Sequence, residues 1–365
     1  MLLRMLAIAS TLFMLAGCAT LTKPESRACF AGPVDADGRP RVTVFFATDR
    51  QPGSSRDAFP EFGFARADTL VFGKVEVTLP ADRDRPFGAV SPGFRIEGAS
   101  LLEGENAFAG ALRREVAARP NPRSKSQGLV FVHGYNESFD RVAFRTAQIV
   151  HDGCLSVVPI MFSWPSRDTL VDYGYDLESA TFAQPALAQL LRLVAHHADF
   201  ARTHIMAHSM GNKILLEALR LLRPELRSLL KVTSSPPFGA LILASPDIDL
   251  DILRQGLPIA MDSARSVTLF TSKNDFLLAV ASLLAHDSSR AGNATQFDLD
   301  QHGVSGHGNF SVVRMDGPEI GACEGGSHRC AETSPIVLAR IREILLRAAG
   351  MAGITPPELT SAISP

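Results

Sequence analysis

The chain has 365 residues, a formal net charge of −2 and 46% hydrophobic residues. The nearly balanced charge provides no basic surface and argues against a nucleic-acid partner. The length and the hydrophobic fraction suit one large α/β domain with a substantial core.

Residues 1–18 have the features of a signal peptide. Arg4 precedes the apolar run 5–17, which is too short to span a bilayer comfortably. The run ends in Leu15-Ala16-Gly17-Cys18, which resembles a bacterial lipobox. The resemblance implies cleavage before Cys18 and acylation of its thiol and amino group, and several acyl chains give stable anchoring. The alternative is an ordinary secretory signal in which Cys18 is incidental.

The lipobox predicts a protein of the bacterial cell envelope that faces an extracytoplasmic compartment. Ala19 after the cysteine favours the outer membrane if the cell has two membranes. The predicted partners are therefore a membrane, bound through lipidated Cys18, and a small-molecule or lipid-like substrate.

Four further cysteines can pair in an exported protein, and four cysteines allow three pairings. Cys323 and Cys330 close a short glycine-rich segment, and we predict a disulfide between them. A metal site of Cys323, His328 and Cys330 would lack a clear fourth ligand. We therefore predict no metal and no cofactor.

Apolar periodicity gives the elements in chain order. After a tether at 19–40, the pattern predicts strands at 41–48, 73–79, 128–134, 157–163, 203–207, 237–245 and 266–271. It predicts helices around 108–116, at 139–150, within 169–197, at 210–222 and at 334–349. Residues 50–70 and 80–93 are predicted as loops. The domain is predicted to span 41–350, followed by a tail at 351–365.

Alternating strands and helices predict a mostly parallel central sheet with helices on both faces. Ligand sites in such sheets lie beyond the carboxyl ends of the strands. Polar residues follow the predicted strands at these ends: His133-Gly134-Tyr135-Asn136, Ser163-Trp164-Pro165, Ser209, Asp247-Ile248-Asp249 and Asn274-Asp275. The pattern predicts a functional site at this edge.

The sequence Ala207-His208-Ser209-Met210-Gly211 lies between a predicted strand and a predicted helix. It has the form G-x-S-x-G with alanine in place of the first glycine. In a nucleophile elbow the serine occupies a strained turn, and small residues on either side let the backbones pass. The alternative is an ordinary serine in a turn between strand and helix.

Six motifs occur in the order expected for one superfamily. They are Val-Phe-Phe-Ala-Thr-Asp-Arg at 44–50, Phe-Val-His-Gly-Tyr-Asn at 131–136, Phe-Ser-Trp-Pro-Ser at 162–166, Ala-His-Ser-Met-Gly-Asn at 207–212, Ser-Pro-Asp-Ile-Asp at 245–249 and Ser-Gly-His at 305–307. Together they resemble the α/β-hydrolase superfamily, and within it a bacterial esterase/lipase-like group of unknown function.

The resemblance implies the α/β-hydrolase fold and a catalytic triad in the order nucleophile, acid, histidine. Ser209 matches the nucleophile, Asp275 the acid and His307 the base. Asp249 is the alternative acid, because some members take their acid from the preceding strand. His302, in the same late loop as His307, is the alternative base.

The chemistry needs these groups because a serine hydroxyl becomes a strong nucleophile only when a base removes its proton. A carboxylate on the other ring nitrogen fixes the histidine tautomer. The backbone N–H groups of Met210 and Tyr135 are the predicted oxyanion donors. The resemblance implies a serine hydrolase, most simply a carboxylesterase. An inactive binding module on the same fold and an acyltransferase with the same triad are the alternatives.

Overall fold

The computed structural model describes residues 32–56, 59–81, 93–119, 127–169, 171–198, 200–284, 289–304, 308–321, 323 and 326–351. The predicted signal peptide with Cys18, the predicted base His307 and residues 352–365 of the predicted tail lie outside the described residues.

Nine strands form one sheet in the described part of the chain. They are β1 (Arg41–Arg56), β2 (Phe59–Thr78), β3 (Arg95–Leu102), β4 (Gln127–Val132), β5 (Val158–Ser163), β6 (Arg202–His208), β7 (Phe238–Ala244), β8 (Ala264–Thr271) and β9 (Phe310–Arg314). Their order is β3-β2-β1-β5-β4-β6-β7-β8-β9. The β1–β2 and β2–β3 pairs are antiparallel, and the pairs from β1 to β9 across the rest of the sheet are parallel.

Helices cover both faces of the sheet. Those in the described ranges are α1 (Gly104–Ala118), α2 (Phe139–Asp152), α3 (Tyr173–Phe182), α4 (Gln184–His197), α5 (Gly211–Thr233), α6 (Leu250–Ser263), α7 (Phe276–Leu284), α8 (Gln296–Gln301), α9 (Cys330–Thr333) and α10 (Pro335–Ala348). None of them is long and apolar enough to cross a bilayer. The architecture confirms the predicted α/β-hydrolase fold.

The central strand β4 shows why the sheet needs two covered faces. All six of its residues are buried. Val130 and Val132 join a core that includes residues of α1, α4, α5 and α6, whereas Leu129 and Phe131 join a core with α2 and α10. Successive side chains of a strand point to opposite faces, so a continuous apolar run is stable only between two helical layers.

One loop prediction in the first third of the chain is wrong. Residues 50–56 and 59–70, predicted as loop, continue β1 and β2 as a long hairpin, with Arg50 opposite Arg66 and Pro52 opposite Phe62. The hairpin is largely exposed, so its sequence lacks the apolar run of a buried strand. β3 was not predicted, and its residues are exposed or half-buried along its whole length.

The predicted helical segment at 169–197 consists of two helices. α3 ends at Phe182 and α4 begins at Gln184, with Pro185 in the first turn of α4. Proline has no N–H to donate to the preceding turn, so it is tolerated at the start of a helix and interrupts a continuous one. The strand β9 at Phe310–Arg314 was also not predicted.

Candidate active site

Ser209 occupies the sharp turn between β6 and α5. Its φ is 51°, a left-handed conformation that is uncommon for a residue with a side chain. Its N–H donates to Ala244 O at 2.9 Å. A Cβ on Gly211 would lie 2.5 Å from His133 O and 2.6 Å from Val132 O, so only glycine fits there. The local geometry is that of a nucleophile elbow, and its strain costs on the order of 1–3 kcal/mol.

The side chain of Asn212 stabilises this turn from within. Its Nδ2 lies within hydrogen-bond distance of three backbone carbonyls, those of Ala207, Ser209 and Ala244, at 3.0–3.3 Å. These contacts join the end of β6, the elbow and the end of β7. Asn212 therefore offsets part of the backbone strain at Ser209.

Asp275 follows β8 at the same edge of the sheet and binds a histidine. Its Oδ2 lies 2.7 Å from His328 Nδ1, and its Oδ1 accepts the Leu278 N–H at 3.1 Å. The Asp275 side chain is fully buried, and the His328 side chain is 10% exposed. A carboxylate at Nδ1 keeps the proton there and leaves Nε2 free to accept one.

The segment from Cys323 to Cys330 carries His328, and we call it the base loop; residues 324 and 325 are outside the part that the structure describes. The disulfide predicted between Cys323 and Cys330 is present and closes this loop. Ser327 Oγ donates to Asn274 O at 2.7 Å, next to Asp275. The covalent closure and this hydrogen bond hold the base loop against the end of β8.

His328 also contacts the residue before the nucleophile. His208 Nε2 lies 3.0 Å from His328 O, and the centres of the two rings are 4.7 Å apart. Because His208 precedes Ser209 in the chain, this contact joins the base loop to the nucleophile elbow. Ser209, Asp275 and His328 thus come from three segments that meet at one edge of the sheet.

The loop after β4 passes beside Ser209. A Cβ on Gly134 would lie 2.9 Å from Ser209 Cβ, so the glycine permits this close approach. Trp164 stacks on the His133 ring with 4.8 Å between ring centres and donates its indole N–H to His133 O at 2.8 Å. Trp164 is fully buried, so it supports this loop from below and does not line an open surface.

The predicted oxyanion donors lie on the two segments that meet here. Met210 is the N-cap residue of α5. The free backbone N–H groups at the start of a helix can bind an anion. Tyr135 follows Gly134, and the next residue, Asn136, has a φ of 62° and donates its N–H to Asp176 Oδ2 at 3.1 Å. This arrangement fits the role predicted for Tyr135 in binding an oxyanion.

A polar and aromatic wall adjoins Ser209 on the side of β7. The Asp247 N–H donates to Ser209 O at 3.2 Å, and Asp247 Oδ2 accepts the Tyr173 hydroxyl at 2.8 Å. The Tyr173 ring meets Tyr135 edge to face at 5.4 Å. Burial and the Asp247 carboxylate raise the pKa of Tyr173, so its hydroxyl stays protonated and remains a donor.

Arg50, from the motif at 44–50, fixes the hairpin to this edge of the sheet. Its guanidinium donates to Ser163 Oγ, Gly63 O, Ser166 O and Glu137 O at 2.7–3.0 Å. Burial lowers the pKa of Arg50 to about 10, so the group is still charged near neutral pH. One buried cation therefore positions the ends of β1 and β5 and the loop after β4.

The alternative acid and the alternative base have other partners. Asp249 is the N-cap residue of α6 and accepts the Asp251 N–H at 2.8 Å. The ring of His302, at the end of α8, contacts Asp298 O at 2.8 Å. Among the described residues, these contacts assign Asp249 and His302 to helix ends.

The prediction of His307 as the base is not tested by the structure, which places another histidine beside Asp275. His307 lies outside the described residues, and the imidazole bound to Asp275 belongs to His328. The sequence interpretation missed β9, so it treated β8 as the last strand and looked for the histidine directly after it. The signal that could have found His328 is Phe310-Ser-Val-Val-Arg314, a short strand-like run that lies between His307 and His328 in the chain.

Solved esterase structures resemble this chain at low sequence identity. A Pyrobaculum calidifontis esterase, in a monoclinic form, is 12% identical with a TM-score of 0.36, covering 90% of this chain and 89% of that chain. A structure described as an arylesterase is 11% identical with a TM-score of 0.32, covering 87% and 89%. No curated protein matches the chain.

A family model matches residues 109–320, which is more than half of the chain. Ser209 and Asp275 lie within the matched segment, and His328 lies beyond its end. The fold assignment rests on this match and on the order of the strands. The chain belongs to the family described as alpha/beta hydrolase of unknown function (DUF900).

Proposed function

We propose that the protein is a serine hydrolase that cleaves carboxylic esters, with Ser209 as nucleophile, His328 as base and Asp275 as the residue that orients the base. One observation carries the proposal: Asp275 Oδ2 and His328 Nδ1 form a buried pair 2.7 Å apart, and the His328 main chain is hydrogen-bonded to the residue before a strained serine. A serine that is only structural would not need a left-handed turn or a neighbouring carboxylate–imidazole pair.

In the proposed reaction, His328 Nε2 takes the Ser209 hydroxyl proton as Oγ forms a bond to the ester carbonyl carbon. The carbonyl electron pair moves to oxygen, and the amides of Met210 and Tyr135 donate to that oxyanion. When the oxyanion collapses, the bond to the alcohol oxygen breaks and His328 returns its proton to the leaving alcohol. Water attacks the acyl-enzyme by the same route and releases the acid.

The environment of Ser209 supports acyl transfer in energetic terms. Two preorganised N–H donors act best in a site that excludes water, and losing one such donor typically raises the barrier by about 3–4 kcal/mol. Ser209 is 5% exposed and lies under the loop that carries Tyr135. The Tyr135–Tyr173 wall gives the ester an apolar surface beside Ser209.

A fluorophosphonate probe tests the proposal, because it reacts with an activated serine. The wild-type protein should be labelled on Ser209 and should hydrolyse p-nitrophenyl acetate, whereas Ser209→Ala should do neither. Thr271→Ser provides a control hydroxyl change at a buried site at the end of β8. An unlabelled, folded wild-type protein would favour the inactive binding module.

We also propose that the protein is anchored to the bacterial cell envelope through lipidated Cys18. The lipobox sequence supports this, and the Cys323–Cys330 disulfide is typical of an extracytoplasmic compartment. Cys18→Ala should leave an uncleaved precursor or release the protein from the membrane fraction. Mass spectrometry that finds an unmodified Cys18 in the native protein would contradict the anchor.

A further inference from the structure

His208 lies between the three segments that build the proposed site. It is the last residue of β6 and is only 3% exposed. Its Nε2 contacts His328 O at 3.0 Å, and a Cβ on Gly134 would lie 3.0 Å from its Nδ1. The ring therefore touches the base loop and residues 133–136 after β4, which we call the oxyanion loop, and the next residue is the proposed nucleophile.

The hydrogen-bond roles at His208 are determined by its partners. Burial, with His328 and the charge of Arg329 nearby, lowers the pKa of His208 well below its usual value. A carbonyl oxygen only accepts, so Nε2 carries a proton and donates it to His328 O. Nδ1 faces Glu332 Oε1 at 3.3 Å, whose carboxylate also pairs with Arg329 Nη1 at 3.3 Å.

The contacts of the base loop fix it relative to two different strands. The Ser327–Asn274 hydrogen bond and the Asp275 carboxylate fix His328 relative to β8. The His208 bond fixes the His328 main chain relative to β6 and hence to Ser209. Proton transfer needs the base within hydrogen-bond reach of the nucleophile, and an error of about 1 Å in such a site can cost about 10²-fold in rate.

We propose that His208 is a positioning residue, whose hydrogen bond to the His328 carbonyl sets the distance between the base and the nucleophile. This inference rests on the proposed serine-hydrolase function. It predicts that His208 contributes to kcat and hardly to substrate binding, because its ring contacts the base loop and the oxyanion loop.

The test compares two amides of different length. In His208→Gln, the side-chain N–H extends to about the position of Nε2 and can donate to His328 O. In His208→Asn, the shorter amide ends near the position of Nδ1 and cannot reach it. We expect His208→Asn and His208→Leu to lower kcat by about 10–100-fold with KM within about twofold, and His208→Gln to recover most of the loss.

His204 provides the matched control, because it is a second buried histidine of β6. Its Nε2 contacts Gln127 Oε1 at 3.0 Å and its Nδ1 accepts the Ala240 N–H at 3.0 Å. Its partners lie in the amino-terminal part of the sheet, away from Ser209. His204→Gln should leave kcat within about twofold, so a general loss of packing in β6 cannot produce the expected His208 pattern.

Thermal unfolding of each variant shows whether it is folded, and the rate of Ser209 labelling by the fluorophosphonate gives a second measure of the base. If His208→Leu does not fold, the Gln and Asn variants still give the comparison. Wild-type kcat in folded His208→Asn, or equal losses in the Gln and Asn variants, would overturn the inference alone. A wild-type protein that neither reacts nor turns over esters would overturn the proposed function as well.

Discussion

The segments before and after β9 differ in the edge of the sheet at which their described residues lie. The segment 302–309, which we call the entry loop, precedes β9, and its described residues are 302–304 and 308–309. There Asn309 Nδ2 donates to Ala264 O at 2.7 Å and to Met261 O at 3.1 Å. Ala264 begins β8, so the described end of the entry loop lies at the amino edge of the parallel sheet. The base loop follows β9 and lies at the carboxyl edge, against Asp275.

The direction of β9 decides at which edge of the sheet the described residues before and after it lie. β9 runs parallel to β8, from Phe310 beside Val267 to Arg314 beside Thr271. The loops at its two ends therefore lie at opposite edges, about one strand length apart. Among the described residues next to β9, those that follow the strand lie at the edge where Ser209 follows β6.

The largest expected effect comes from replacing the histidine of each loop by alanine, one variant at a time. We expect His328→Ala to lower p-nitrophenyl acetate turnover by about 10⁴-fold or more, because the loss of a triad histidine removes base catalysis almost entirely. His307→Ala in the entry loop should keep turnover within about twofold. The reverse ranking, measured on folded proteins, would return the base to His307.

The second prediction compares two aspartates that follow neighbouring strands. Asp275→Asn should lower turnover by about 10⁴-fold, because an amide at Nδ1 favours the wrong tautomer of His328. Asp249→Asn should keep both turnover and the thermal midpoint, since asparagine caps a helix about as well as aspartate. Loss of activity in the Asp249 variant with a fully active Asp275 variant would assign the acid to the end of β7.

The third prediction concerns the covalent closure of the base loop. Replacing both Cys323 and Cys330 by serine should lower turnover by about tenfold, because the His328 loop becomes less well positioned. The chain-entropy model predicts a loss of stability of about 2–3 kcal/mol for a loop this short. Kinetics and thermal unfolding, with and without reductant, would measure both effects.

Unchanged turnover in the double serine variant would mean that the hydrogen bonds of His208 and Asp275 are sufficient to hold His328. The wild-type protein treated with a reductant keeps the cysteine side chains, but the reductant also opens the disulfide of Cys154, so the double serine variant is the specific test. If turnover is unchanged, the disulfide contributes to stability alone.

The central part of the fold could be predicted from the sequence because its signals are local. The strands β4 and β7 are continuous buried runs, and the elbow at Ser209 is defined by the adjacent residues Ala207 and Gly211. Asp275 could be found because it follows a clear strand. In each case the residues that carry the signal are neighbours in the chain.

The remaining features depend on contacts between distant segments. Only Phe310 is buried in β9, so the strand has almost no apolar periodicity, and without it the position of His328 cannot be predicted. His328 and Asp275 are 53 residues apart, and their contact requires the correct order of β8 and β9. The long hairpin is likewise held by Arg50, whose partners lie in three separate segments.

The last prediction tests whether a buried aspartate at the carboxyl edge, outside the base loop, affects stability and leaves turnover unchanged. Asp49 follows the part of β1 paired with β5 and is 1% exposed, and neither of its carboxylate oxygens has a hydrogen-bond partner among the described residues. Burial raises the pKa of Asp49 to about 7, although the charges of Arg50 and Arg66 partly offset the effect. Asp49 thus differs from Asp275, whose two oxygens are both paired.

A carboxyl group with a raised pKa in the folded state destabilises the fold as it ionises. Between about pH 4 and pH 7 the unfolded chain has lost this proton and the folded protein keeps it, so stability falls as pH rises, and it levels off above about pH 7.

The amide introduced by Asp49→Asn cannot ionise. We therefore expect Asp49→Asn to gain up to about 4 kcal/mol of stability relative to the wild type between about pH 4 and pH 8. Ester turnover should not change, because Asp49 does not contact the base loop. A thermal midpoint difference that is independent of pH would contradict the buried, uncharged Asp49, and a large loss of turnover would extend the catalytic part of the edge as far as β1.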